Sequence, residues 1–211
     1  MPRTTDDLIA ALSQSPLPAR FAPLRAVWAM LGAACVGVAI YWLIFGLRAD
    51  VAMAVTMPSK LVKSVLPLGL GALALWLALR SARPGERVPV WVLLVPAALA
   101  VGMFVQRLWT VPEGLLATEL VGQTAVASLL SITVLSLAPT GIGLWFLRRG
   151  APTRPLLSGA LVGLASGAGV AAGYALHCTE DSPLFFVVWY GIAVSVASTV
   201  GAVAAGRALR W

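Results

Sequence analysis

The chain has 211 residues, of which 60% are hydrophobic and 11% charged, and its formal net charge is +7. A soluble domain carries about 25% charged residues, so this composition, with a mean hydropathy of +0.92, excludes an ordinary soluble enzyme or binding domain. A basic excess taken alone would suit nucleic acid or an acidic partner, but its placement along the chain gives it a different use.

Residues 1–25 form a polar, Pro-rich tail. It lacks the apolar core and cleavage context of a signal peptide, so the first apolar run is expected to remain as a span. Thr4 and Thr5 precede Asp6 and Asp7, which sets a hydroxyl cap and two acids at the positive end of a helix. Leu8, Ile9 and Leu12 follow at helical spacing as a small apolar stripe, and Pro16 and Pro18 end the helix. About nine residues of helix do not hold together alone in water. Either this helix packs on something, or the segment is a disordered leader with accidental periodicity.

Apolar runs of about 18 residues or more read as membrane spans. Six are present, at 26–46, 61–79, 88–105, 120–147, 156–176 and 184–205. The expected fold is an all-α membrane protein, a six-transmembrane-helix bundle over 26–211 with a short cytoplasmic N-terminal helix in the 1–25 tail. With the N-terminus inside, eleven of the fifteen basic residues fall on the cytoplasmic side, and only Arg48, Lys60, Lys63 and Arg107 fall outside. The acids lean outward: Asp50, Glu113, Glu119, Glu180 and Asp181 against Asp6, Asp7 and Glu86 inside. Basic residues in short loops resist translocation, so the charge encodes topology, with both ends cytoplasmic.

Within the spans, Pro67, Pro96 and Pro139 are candidate kinks. Trp28, Trp91, Trp109, Tyr190 and Trp211 fall near span ends, as interfacial anchors do. The fourth span carries Gln123, Thr124, Ser128 and Ser131, a patch suited to hydrogen bonds between helices. The fifth carries Gly159, Gly163 and Gly167 at four-residue spacing, and the sixth offers Ser195, Ser198, Thr199, Gly201 and Gly206. Small residues let helices approach closely in lipid, so tight packing of these two spans is expected.

Between them lies Leu176-His177-Cys178-Thr179-Glu180-Asp181-Ser182-Pro183. This loop concentrates the single His, one of the two Cys and two acids. Titratable groups are costly near a bilayer, so it is the candidate sensing or binding site, with a plain topological hairpin as the alternative. Ser182 followed by Pro183 suits a helix start, and Glu180 and Asp181 would face its positive end. His177 and Cys178 are weak candidate metal ligands, because imidazole and thiolate suit zinc and its neighbours but no second cluster completes the set. An outward-facing Cys178 beside His177 would also suit an oxidation-sensitive thiol. Cys35 lies mid-span at a different depth, too far for a disulfide with Cys178. No set of catalytic groups is present, so neither an enzyme nor a cofactor is expected. A small transporter or metal-handling protein, using Glu119 or the outer loop, is the alternative reading.

Several stretches carry a family likeness. These are the tail Thr4-Thr5-Asp6-Asp7-Leu8-Ile9-Ala10-Ala11-Leu12, the junction Trp145-Phe146-Leu147-Arg148-Arg149-Gly150-Ala151-Pro152, the loop LHCTEDSP with Phe185-Phe186-Val187-Val188-Trp189-Tyr190 after it, and the ending Gly206-Arg207-Ala208-Leu209-Arg210-Trp211. Together they resemble the NrsF-like family of bacterial membrane proteins (negative regulator of sigma F) over essentially the whole chain. The resemblance implies an inner-membrane anti-sigma factor, partnered by an extracytoplasmic-function sigma factor and by the lipid bilayer, with no direct contact to nucleic acid. It implies that Asp6, Asp7, Leu8, Ile9 and Leu12 bind the sigma factor. It also implies that His177, Cys178, Glu180 and Asp181 sense an envelope, metal or oxidative stress. The family carries a further Cys in the fourth span, where this chain has Ser128.

Overall fold

The structure is a computed structural model that describes residues 4–14, 21–150 and 152–208, the side chains of Leu8 and of residues 11–14 excepted. Among the described residues every regular element is helical. Helix α1, Thr5–Gln14, lies in the tail. The long helices are α2 (Pro23–Phe45), α4 (Pro58–Ser81), α5 (Leu94–Thr110, entered through a 3₁₀ turn at Val90–Leu93), α7 (Ala125–Leu147), α8 (Pro155–Tyr174) and α9 (Pro183–Ala208). Two short helices, α3 (Val51–Thr56) and α6 (Leu116–Val121), sit in connections. Taking the 3₁₀ turn with α5 and α6 with α7, six segments are long and apolar enough to cross a membrane. Four long helices begin on proline (Pro23, Pro58, Pro155 and Pro183), where the missing N–H would have had no helical partner anyway.

The six apolar runs coincide with these six helical segments, with three corrections. The fourth is not one helix over 120–147. It breaks at Gly122, whose φ of +56° is a conformation that side chains other than glycine rarely adopt. A Cβ there would also meet the Phe185 ring at 2.8 Å. Pro96 does not interrupt its helix; it stands in the first turn of α5, where backbone donors are unpaired in any case, whereas Pro67 and Pro139 are interior. Tyr190 is a core residue, 4% exposed, and not an interfacial anchor. Trp28, Trp91 and Trp109 are exposed as expected, while Trp211 lies outside the described residues. The α3 turn had no signal in the hydrophobic pattern.

Helix α8 is the axis of the bundle. Two-thirds of its membrane-length window is buried (67%), against 6% for the third span. It packs on α9, α4, α7 and α2, and α5 leans on the outside against α9 and α4. The glycine stripe explains this. A Cβ at Gly163 would run into the Ala197 carbonyl oxygen, and one at Gly159 into Gly201 of α9. Across the same seam the Ser198 hydroxyl donates to the Ala160 carbonyl at 3.0 Å. On the next face of α8, a Cβ at Gly71 of α4 would lie 3.2 Å from the Ala165 oxygen. In lipid no hydrophobic gain draws helices together, so close backbone approach and interhelical hydrogen bonds carry the packing. The fourth-span patch behaves as expected: Ser128 donates to Tyr174 at 3.2 Å and Ser131 to Tyr41 at 3.3 Å.

The connections sort into two ends. One is rich in arginine (residues 82–89 and 148–154); the other holds the 175–182 loop with residues 46–57 and 111–124. At the arginine-rich end Glu86 accepts from Arg80 and Arg83, and the Arg149 guanidinium stacks 3.9 Å over the Trp145 ring.

Gly163→Ala is expected to destabilise the bundle by about 1–3 kcal/mol through overpacking. Gly169→Ala, where a Cβ would meet nothing within 4 Å, should leave it unchanged. Thermal unfolding midpoints of the detergent-solubilised protein check both. A wild-type midpoint for Gly163→Ala would remove the glycine seam as the basis of the α8–α9 pairing.

Candidate functional site

After α8 the chain closes its last turn with N–H groups of His177 and Cys178 donating to the Tyr174 carbonyl. This turn leaves the Cys178 carbonyl free to accept from elsewhere. Two cations take it: Arg48 Nη1 at 3.2 Å and Lys63 Nζ at 2.8 Å. Both side chains are buried, at 4% and 1% exposure. Asp181, three residues on, accepts a two-pronged pair from Arg48, Nη1 and Nη2 each at 2.7 Å. Lys63 and Lys60 stand 3.5 and 3.6 Å from the same carboxylate. Asp50 completes the group, taking Arg48 Nε at 2.6 Å and Lys60 at 2.7 Å. Removing two cations from water costs several kcal/mol each, and the fork geometry of Arg with carboxylate recovers much of it.

These contacts shape the titration of the groups outside the helices. Burial works to raise the Asp181 carboxyl. The hydrogen bonds from Arg48 and the charges of Lys63, Arg48 and Lys60 together outweigh it and hold the group below the usual carboxylate range. Hydrogen bonds from Arg48 and Lys60 push Asp50 down as well. The bonds Arg48 donates to Asp181 and Asp50 push its guanidinium further up.

The other side of the loop meets different helices. His177 Nδ1 donates to the Gly46 carbonyl at 2.7 Å, which fixes its tautomer, and its ring packs edge-on against Tyr41 at 5.1 Å. Glu180 accepts the Gln123 N–H at 2.9 Å, at the break between α6 and α7. Ser182 caps α9 as predicted, accepting the Leu184 N–H at 3.3 Å. It also donates to Glu119 at 2.7 Å, and both carboxylate oxygens of Glu119 accept from one edge of the Arg107 guanidinium on α5, Nε and Nη2. Trp189 Nε1 reaches back to the Leu120 carbonyl at 2.9 Å. The loop therefore ties α2, α4, α6 and α7 directly, and α5 through Glu119.

Two expectations change. Cys178 does not face outward: it is 2% exposed, its Sγ lying 3.7 Å from Thr124 Oγ1. Asp181 does not serve only as a charge at the start of α9; its carboxylate belongs to the Arg48–Lys63 cluster. His177 and Cys178 point to different neighbours, and among the described residues no three of His, Cys, Asp and Glu group to hold a metal. Cys35 and Cys178 are both free thiols. Sequence reasoning missed Arg48, Lys60, Lys63 and Arg107, treating them as exceptions to the topology rule. The available signal was that all four fall at the same end as Asp50, Glu119 and Asp181, with which they pair.

The tail forms its helix. Thr4 and Asp7 cap it reciprocally: the Asp7 N–H donates to Thr4 Oγ1 at 3.3 Å, and the Thr4 hydroxyl and N–H donate to Asp7 Oδ2 at 2.7 and 3.2 Å. Those bonds hold the Asp7 carboxyl below its ordinary range. Asp6, Asp7 and Ile9 are exposed. The side chains of Leu8 and Leu12 lie outside the described residues.

Comparison with known proteins gives a consistent result. Residues 11–211 match the family described as NrsF, negative regulator of sigma F. The anti-sigma-F factor NrsF of Caulobacter vibrioides is 36% identical over 218 aligned positions, covering 98% of this chain and 99% of that protein. The probable anti-sigma-F factor NrsF of Azospira oryzae is 31% identical over 221, covering 98% and 99%. No solved structure matches.

Asp181→Asn leaves Arg48 and Lys63 facing a neutral amide. The expected loss is about 3 kcal/mol, the low end for a broken buried pair, because a quarter of the Asp181 side chain is exposed. The carboxyls held low when folded bind fewer protons than the unfolded chain, whose Asp titrates near about 3.9. Their contribution is thus complete above about pH 4 and is lost as pH falls through the depressed folded values. Unfolding midpoints from pH 7 to pH 3 should drop steeply below about pH 4 for the wild type and less for Asp181→Asn. A variant as stable as wild type at pH 7 would show that the cluster does not hold the loop.

Proposed function

This chain belongs to the NrsF family of negative regulators of sigma F, and from that premise we propose that it is an anti-sigma factor that holds its sigma factor at a membrane. The observation that carries the reading is the likeness over 98% of the chain to the protein named anti-sigma-F factor in Caulobacter vibrioides. A protein that sequesters a partner needs a binding surface and no catalytic group. The partner is proposed to be an extracytoplasmic-function sigma factor, and the membrane a bacterial inner membrane with both chain ends in the cytoplasm. Eleven of fifteen basic residues at one side support that orientation. The four exceptions also fit, since each cation at the loop end stands in an ion pair and the three carboxylates Asp50, Asp181 and Glu119 offset three of the four charges.

The binding element is α1. Its cap is built from its own residues, its acids Asp6 and Asp7 are exposed, and Leu8, Ile9 and Leu12 share one helical face. Ten residues of amphipathic helix gain order by lying in a groove of the partner. The 176–183 loop, with His177, Cys178, Glu180 and Asp181, is proposed as the element that senses stress. Release then requires that a change at the loop favour a packing of the bundle in which α1 binds less tightly.

Two experiments test this. Full-length protein in detergent should capture its extracytoplasmic-function sigma factor, and Leu8→Asp should abolish capture and switch the target genes on permanently. Undiminished capture by Leu8→Asp would sink the assignment of α1. Cys178→Ser should blunt induction by a thiol-reactive metal or oxidant; full induction in that variant would leave Cys178 a packing residue only.

A further inference from the structure

At the arginine-rich end a cavity of about 410 Å³ opens between the α4–α5 connection and the start of α8. Its walls include Arg83, Glu86, Arg87 and Val88 from the connection, and Arg154 and Leu157 from the start of α8. Glu86 is already engaged, accepting from Arg80 and Arg83. Arg87 and Arg154 are exposed, and neither stands in an ion pair among the described residues. Two guanidiniums without a carboxylate therefore stand beside two apolar side chains.

Helix α1 carries the complementary set. Its acids are Asp6 and Asp7, and Thr5–Gln14 contains no basic residue. Asp7 commits Oδ2 to the Thr4 cap, whereas Asp6 is exposed and in no ion pair among the described residues. Leu8, Ile9 and Leu12 add an apolar face. A helix this short does not hold alone in water, so α1 needs a surface that offers positive charge and hydrocarbon together. The tail is rooted beside such a surface: Phe21 packs on the same core cluster as Val88 and Leu157. The chain from Gln14 to Pro23 reaches at most about 30 Å, and tethering at that range gives an effective concentration on the order of mM.

We propose that α1 docks in this cavity of its own bundle when no sigma factor is bound, with Asp6 between Arg87 and Arg154 and Ile9 toward Val88 and Leu157. The structure, in which Asp6, Asp7 and Ile9 are exposed, is then the undocked state that a partner meets. The proposal rests on the reading of α1 as the sigma-binding element. It supplies what release requires, a second place for α1 that competes with the partner's groove. Both walls of the cavity continue to the loop-end cluster, α4 through Lys63 and α8 through the turn that presents the Cys178 carbonyl. A shift between α4 and α8 at that cluster would reshape the cavity and so change the competition.

The test is amide hydrogen exchange of the full chain, purified in detergent without a sigma factor. Amides of α1 should exchange at least about tenfold slower than in an unstructured peptide of the same sequence. The double variant Arg87→Glu/Arg154→Glu should lose that protection, and so should Asp6→Arg. Combining the three changes should restore it, because the charges are exchanged and the pairing is kept. Both arginines and Asp6 are exposed, so the variants fold, with wild-type unfolding midpoints as the control. Excess phosphatidylglycerol should leave the protection in place. Capture of the sigma factor should tighten about tenfold in the double variant, since a dock occupied about nine-tenths of the time lowers a competitor's apparent affinity by that factor. Unprotected α1 in the wild type, protection kept in the double variant, no rescue by the triple change, protection lost to phosphatidylglycerol, or unchanged capture would each overturn the proposal. Failure of every form to capture a sigma factor would remove the anti-sigma reading instead, and the exchange result would still decide whether α1 docks.

Discussion

Two buried cations need the 175–182 loop. Arg48 and Lys63 lie at 4% and 1% side-chain exposure, and no buried guanidinium or ammonium is tolerable without hydrogen bonds that complete its charge. The Cys178 carbonyl and the Asp181 carboxylate supply them. The dependence runs both ways: the turn that frees the Cys178 carbonyl lies where it does because α8 ends at Tyr174, and the two cations hold that turn against α4. Loss of the loop would leave Lys63 without either acceptor and Arg48 with Asp50 alone, and loss of Arg48 would leave Asp181 only the longer contacts to Lys63 and Lys60.

The second constraint is the glycine seam. Backbone-on-backbone contact between α8 and α9 leaves no room for adjustment by side chains, so these two helices and the loop joining them behave as one unit. Around that unit the helices are held with decreasing closeness: α4 by small residues, α7 and α2 by hydroxyl and aromatic contacts, α5 mainly at its loop end through Arg107 and Glu119. A change at the loop would therefore move the α8–α9 unit as a whole, or release α5, before it altered any buried seam. For a protein proposed to report from the loop end to a tail at the arginine-rich end, this ordering favours rigid displacement over local unfolding.

Much of the fold was legible from pattern. Six apolar runs of membrane length, the Thr4–Asp7 cap, the Ser182–Pro183 helix start and the glycine spacing all rest on rules local to a few turns of helix, and the structure agrees with each. The break at Gly122 was hidden because its positive φ, and the Phe185 ring more than sixty residues away that a Cβ there would meet, belong to the folded chain and not to the apolar pattern. The site was legible only in part. The concentration of His177, Cys178, Glu180 and Asp181 marked the loop, but their partners Arg48, Lys60 and Lys63 were read as leftovers of topology, since nothing local links them to residue 181.

What the sequence determined by itself was the solvent and the path of the chain. Composition makes these helices apolar enough for hydrocarbon, and the apolar runs of membrane length set the number of spanning segments. Tertiary structure alone decided which side chain each titratable group meets. It turned Cys178 inward, divided the loop's two acids between a cationic cluster and a backbone N–H, and left α5 standing apart from its neighbours. The physical reason is range: helix formation and partition into lipid are settled by neighbours within a turn or two, whereas the pairing of buried charges waits on the approach of segments that adjoin only in the packed bundle.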